Sequence, residues 1–73
     1  MSEVAAIGVV TEVGGFALAG ARVYPADTAD QARAAWAALP QTVRVVILTA
    51  AAAQALGPEP ARPSPPLTVV MPP

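Results

Sequence analysis

The sequence predicts a small α/β domain on a four-stranded parallel sheet, and three observations carry that reading. Short apolar runs alternate with helix-type patterns along the chain, which is the signature of successive βαβ crossovers. The first run, Val4 to Val10, is apolar without a polar alternation, as in strands covered on both faces. The third, Val43 to Leu48, is short, β-branched and bounded by turn signals.

After the first strand, Thr11 is placed to cap a short helix over Glu12 to Ala19, with Glu12 near its positive end. Gly14 and Gly15 weaken that helix by up to about 1 kcal/mol each, so they point to a close approach of backbone or a distorted turn. Gly20 is its stop signal. A second strand covers Arg22 to Pro25. Thr28-Ala29-Asp30-Gln31 then fits a capping box and opens a helix reaching about Leu39, before the breaker Pro40. Ala32, Trp36 and Leu39 share the apolar face of this helix, with Ala29 and Ala35 beside them. Asp30 and Arg33, three apart, form a weak outer pair.

Thr49 caps a third helix, Ala50 to Leu56, ended by Gly57 and Pro58. A proline-rich connector at 58–66 follows, extended because proline removes donors and restricts its neighbour. Leu67 to Met71 is the fourth strand. Right-handed crossovers with helices on both faces favour the strand order 2-1-3-4, a truncated flavodoxin-like, doubly wound sheet. Residues 1–73 form a single domain with no internal repeat.

Composition narrows the chemistry. There is no cysteine and no histidine, hence no disulfide, no thiolate and no imidazole base. The basic residues are all arginines (Arg22, Arg33, Arg44 and Arg62), and the formal net charge is -1. That balance argues against nucleic acid, whose binding rests on neutralised phosphates. The mean hydropathy is +0.54, but the longest apolar run, Val43 to Leu56, contains Arg44, Thr49 and Gln54. It also falls short of the roughly 20 residues a spanning helix needs. The start Met1-Ser2-Glu3 lacks the positive charge of a secretory signal. The expectation is a soluble, cytoplasmic chain without direct membrane insertion.

Ligands of such sheets bind outside the carboxyl ends of the strands, which here present Thr11, Glu12, Pro25, Asp27 and Thr49. The stretch Val10 to Gly15 is neither a dinucleotide nor a P-loop fingerprint and carries no lysine. It is read as a capped helix start or an interface loop rather than a phosphate cradle. Thr49 stands where a receiver-type fold would need aspartate, and is read as an N-cap. Glu12 and Asp27 are read as helix-entry charges rather than a carboxylate pair for metal or acid–base work. Tyr24 is read as a partly buried ring and Trp36 as core, with an interface anchor as the alternative for Trp36. The expectation is a non-enzyme without metal or cofactor.

One segment stands out as a motif. Gly15-Phe16-Ala17-Leu18-Ala19-Gly20 follows a strand ending Ala6-Ile7-Gly8-Val9-Val10 and precedes the run Ala21 to Trp36. With the closing Leu67-Thr68-Val69-Val70-Met71-Pro72, this order resembles the F subunit of V-type and archaeal-type rotary ATPases over essentially the whole chain. The resemblance implies a central-stalk subunit that docks on the coiled-coil D-type shaft subunit beside other subunits of the motor. Such a subunit holds no nucleotide or metal of its own. It helps couple or regulate ATP hydrolysis performed elsewhere, and lies peripheral to the membrane through the complex. Gly15, Phe16 and Leu18 are the implied partner-binding residues. Physically, Phe16 and Leu18 supply apolar bulk between glycines that permit tight backbone approach, either to the chain's own sheet or to a partner. Two departures stand beside this. The family carries an acid soon after the first strand's glycine, whereas the first acid after Gly8 here is Glu12. The family chain also continues into a C-terminal helix where this sequence reaches Pro73, so the resemblance is to a form lacking that helix, whether a short variant, a truncation or a relative that keeps only the globular docking domain. A stand-alone α/β interaction module and a degenerate nucleotide- or flavin-binding domain are the alternatives.

Overall fold

The computed structural model describes residues 3–57 and 66–72. Its sheet contains four parallel strands in the order β2-β1-β3-β4, namely Arg22–Pro25, Val4–Gly8, Val45–Leu48 and Leu67–Val70. The connections are α1 (Val10–Val13) with a 3-10 segment (Gly14–Ala19), then α2 (Ala29–Ala37) and α3 (Ala50–Leu56). The predicted α/β class and strand order are those observed. From β1 the first crossover steps to one side and the second steps back over it, while the third continues the same way. Right-handedness then sends α1 and the 3-10 segment to one face of the sheet and α2 and α3 to the other.

The faces can be assigned from burial. Ala5 and Ile7 of β1, and Val46 and Leu48 of β3, form one core with Ala32 of α2 and Ala52 and Leu56 of α3. Val43 and Ala26 complete it, while Tyr24, Trp36 and Leu39 pack partly buried around it. Much of this core is alanine, so α2 and α3 lie close together but bury little volume per residue. Ala6 and Val13 are fully buried yet lie outside that cluster, and they mark the opposite face beneath α1.

The local chemistry explains most element ends. Thr28 Oγ1 accepts from the Gln31 N–H at 3.1 Å and caps α2. The reciprocal half of the box differs from expectation, because Gln31 Oε1 accepts from the Asp27 N–H at 2.6 Å rather than from the cap residue. Asp30 and Arg33 do pair, and Arg33 also donates to the Ala55 carbonyl at 3.4 Å, tying α2 to α3. Both side chains are exposed, so the pair contributes little stability. α2 ends at Ala37 rather than near Leu39. The Leu39 N–H closes no further α-turn and instead donates to Trp36 O, three residues back. Gly57 follows α3 as expected.

The region after β1 departs furthest from expectation. β1 stops at Gly8, not Val10, and α1 begins at Val10, with Val9 rather than Thr11 as its N-cap. The Glu12 and Val13 N–H groups both bond Val9 O, at 2.8 and 3.1 Å. From Gly14 the helix tightens to 3-10 geometry, in keeping with the low helix propensity of two consecutive glycines. The tight approach expected of the glycines is not seen within the chain. A Cβ at Gly14, Gly15 or Gly20 would meet nothing within 4 Å. Gly20 serves the turn instead: at φ +92° it closes a Schellman-type end. Its own N–H bonds Ala17 O and the Ala21 N–H bonds Phe16 O, each at 3.1 Å.

The remaining strands are shorter than their apolar runs. β3 begins at Val45 because Val43 and Arg44 bond Pro40 O and Glu3 O outside the ladder. β4 ends at Val70, although the Met71 N–H still reaches Leu48 O at 2.8 Å. The proline-rich connector lies, but for Pro66, outside the described residues. No described helix is long and apolar enough to cross a membrane.

Candidate functional site

At the carboxyl ends of the strands, Glu12, Asp27 and Thr49 line two hollows that meet at Ala51. Glu12 lines one of about 330 Å³ with Thr49, Ala50, Ala51, Met71 and Pro72. Asp27 lines another with Val9, Ala26, Thr28, Ala32 and Ala55. The two acids thus line different hollows, with Ala51 on the wall of both. No group of three or more potential metal-ligating side chains occurs among the described residues.

Thr49 is the buried polar residue of this edge, 3% exposed. Its hydroxyl accepts from the Ala52 N–H at 3.1 Å and caps α3. Its methyl and hydroxyl lie directly against the Cα of Gly8, where a Cβ would stand 2.8 Å from Oγ1 and nearer still to Cγ2. The residue is thus a cap and a packing element between β1 and α3. Thr49→Ala is expected to cost about 1–2 kcal/mol, the upper part of the N-cap range, against a smaller loss for Thr49→Ser. Urea denaturation followed by far-UV circular dichroism measures both.

The sequence motif occupies a different place. Gly15 is exposed, Phe16 is half-buried, and Leu18 is 95% exposed. Phe16 turns toward the sheet, sharing a hollow with Val4, Ala19, Ala21 and Ile47. Leu18 faces solvent on the outer side of the 3-10 segment. The three residues expected to bind a partner are therefore brought onto one segment but divided between packing and display.

A larger apolar feature lies next to them. Leu67 and Val69 of β4 are each more than half exposed, as are Val10 of α1 and, on the opposite face of β4, Val70. By register, Leu67 stands beside Val45 and Val69 beside Ile47. Sequence reasoning reads Leu67 to Met71 as an exposed edge strand that could pair with another chain, its prolines discouraging this, and does not single out its apolar face. Which helices cover which strands, and hence what is left open, depends on the tertiary arrangement.

Compared with protein-family models, with curated proteins and with solved structures, the chain matches none of them. The class that stands on its own geometry is a doubly wound parallel α/β domain.

Proposed function

We propose that this chain is a non-catalytic central-stalk subunit of a rotary V/A-type ATPase, docking on the coiled-coil shaft subunit. In that role it contributes to coupling or regulating ATP-driven proton or ion transport, from the cytoplasmic side and peripheral to the membrane. The observation that carries this reading is the hexapeptide Gly15 to Gly20. It forms a compact surface segment that holds Leu18 out to solvent. A leucine at 95% exposure contributes nothing to the chain's own core, and burying it in a complex recovers about 1.5–3 kcal/mol. The strand and helix order around the segment is the order that the resemblance to the F subunit implies.

Co-expression with a D-type shaft subunit, followed by size-exclusion chromatography, tests the reading. A stoichiometric complex is expected. Separate elution of the two chains overturns it.

A further inference from the structure

The two faces of the sheet are covered unequally. Over β1 and β2, α1 and the 3-10 segment bury Ala6 and Val13 completely. On the same face of β3 and β4, Val45 and Ile47 are only half-buried, and Leu67 and Val69 are 71% and 54% exposed. That these four share a face follows from alternation, since Val46 and Leu48 point into the α2–α3 core. The pairing of Val45 with Leu67 and of Ile47 with Val69 arranges them as a two-by-two apolar square. Val4 extends the square toward β1, and Phe16 stands at its border as a wall.

We infer that this open half-sheet seats one amphipathic α-helix from another chain, which on the shaft reading above is a helix of the shaft subunit. Three features select a helix. Two strands about 4.8 Å apart, bounded on one side by the α1 layer, offer a trough roughly 10 Å wide, the diameter of one helix. A second sheet is excluded, because sheets pack face to face at about 10 Å and the 3-10 segment already occupies that layer over β1 and β2. A second copy of this chain is disfavoured by size. Two strands of four residues present a footprint on the order of 130 Å², against about 800 Å² per partner in a standard stable interface. A long helix running past both ends of the strands gains further contacts beyond the square, whereas a compact dimer on this face alone does not. The four side chains of the square are aliphatic, so the facing stripe of the helix is aliphatic too, spaced i, i+3/i+4 and i+7. Glu3, which lines the hollow at the Val4 end beside Phe16, favours a basic or polar residue on the helix there. The strands are about 13 Å long, which matches roughly nine helical residues.

The test uses the full chain co-expressed with the D-type shaft subunit and compares two substitutions on one strand. Val69→Glu places a charge on the open face. Val70→Glu places the same charge on the opposite face of β4, at a residue 51% exposed. Binding by titration calorimetry is expected to weaken at least tenfold for Val69→Glu and to change less than twofold for Val70→Glu. Leu67→Gln, at the more exposed position, should weaken binding several-fold and supplies the result if Val69→Glu does not fold. Wild-type affinity in the folded open-face variants, or a loss confined to Val70→Glu, overturns this inference while the shaft reading stands. Failure of the wild-type chain to bind the shaft at all overturns the shaft reading, and this inference with it.

Discussion

Replacing Leu48 by alanine is expected to destabilise the domain by about 3–5 kcal/mol, the upper part of the range for leucine truncation in a core. The side chain is fully buried in the central strand β3, and its neighbours decide the size of the loss. Ala5, Ala26, Ala32 and Ala52 are prominent in the cluster around it, and alanine has no rotamer with which to fill a vacated space. The strand itself is pinned on both sides: Leu48 pairs with Ile7 of β1 and Val70 of β4, and its carbonyl holds the Met71 N–H at 2.8 Å. The sheet therefore has little freedom to collapse into the cavity, and the cavity contribution remains. A chain of 73 residues has a total stability of roughly 4–11 kcal/mol. At the low end of that range little or no stability is left, and a substantial fraction of the variant is unfolded at 25 °C. Urea titration by circular dichroism checks the effect, and a loss below about 1 kcal/mol would show that the core repacks freely. Leu56→Ala, at the 9% exposed margin of the same cluster, should cost less.

How far the sequence reveals this molecule follows from which interactions are local. The unalternated apolar run of β1 discloses a parallel sheet because burial on both faces removes any need for polar positions. β3 carries the same pattern although its outer face, Val45 and Ile47, is only half-buried. Thr28 and Thr49 disclose the starts of α2 and α3 because a cap is formed within three residues of itself. The region after β1 is different. Thr11 has the chemistry of a cap, yet the chain turns at Gly8, where Thr49, far along the sequence, fills the space a side chain would occupy. That contact is long-range and leaves no periodic trace, so the helix starts before the position its cap residue suggests. The paired glycines did signal a distortion, and the 3-10 segment is that distortion. Their expected role in close packing was an inference from size alone, and the chain leaves the space beside them open. The open half-sheet was the least legible feature. Leu67 to Met71 reads as a fourth strand at the sheet edge, and only the placement of the helices shows that the face carrying Leu67 and Val69 is left open.

Gly8→Ala is the substitution in which that long-range contact becomes measurable. The added Cβ would lie 2.8 Å from Thr49 Oγ1 and closer to Thr49 Cγ2, distances no unstrained packing allows. Neither partner can yield cheaply. Gly8 closes the β1 ladder opposite Pro25, and its carbonyl accepts from the Ala26 N–H at 2.8 Å. The Thr49 hydroxyl is held by the Ala52 N–H, and its own N–H bonds Ile7 O. Relief requires β1 and the start of α3 to separate, which loosens Ile7 and Leu48 beneath them. The expected cost is about 2–3 kcal/mol, toward the upper end for overpacking in a close-packed interior, and includes a part from the φ of +156° at Gly8, which Thr49→Ser does not relieve. Thr49→Ser in the Gly8→Ala background removes Cγ2 but keeps the capping oxygen. The double variant should therefore be more stable than Gly8→Ala alone, whereas Thr49→Ser by itself is mildly destabilising. That reversal of sign is a coupling between residues in contact, read as the difference between urea midpoints across the four proteins. Simple additivity would mean that Gly8 is required for some reason other than room for Thr49.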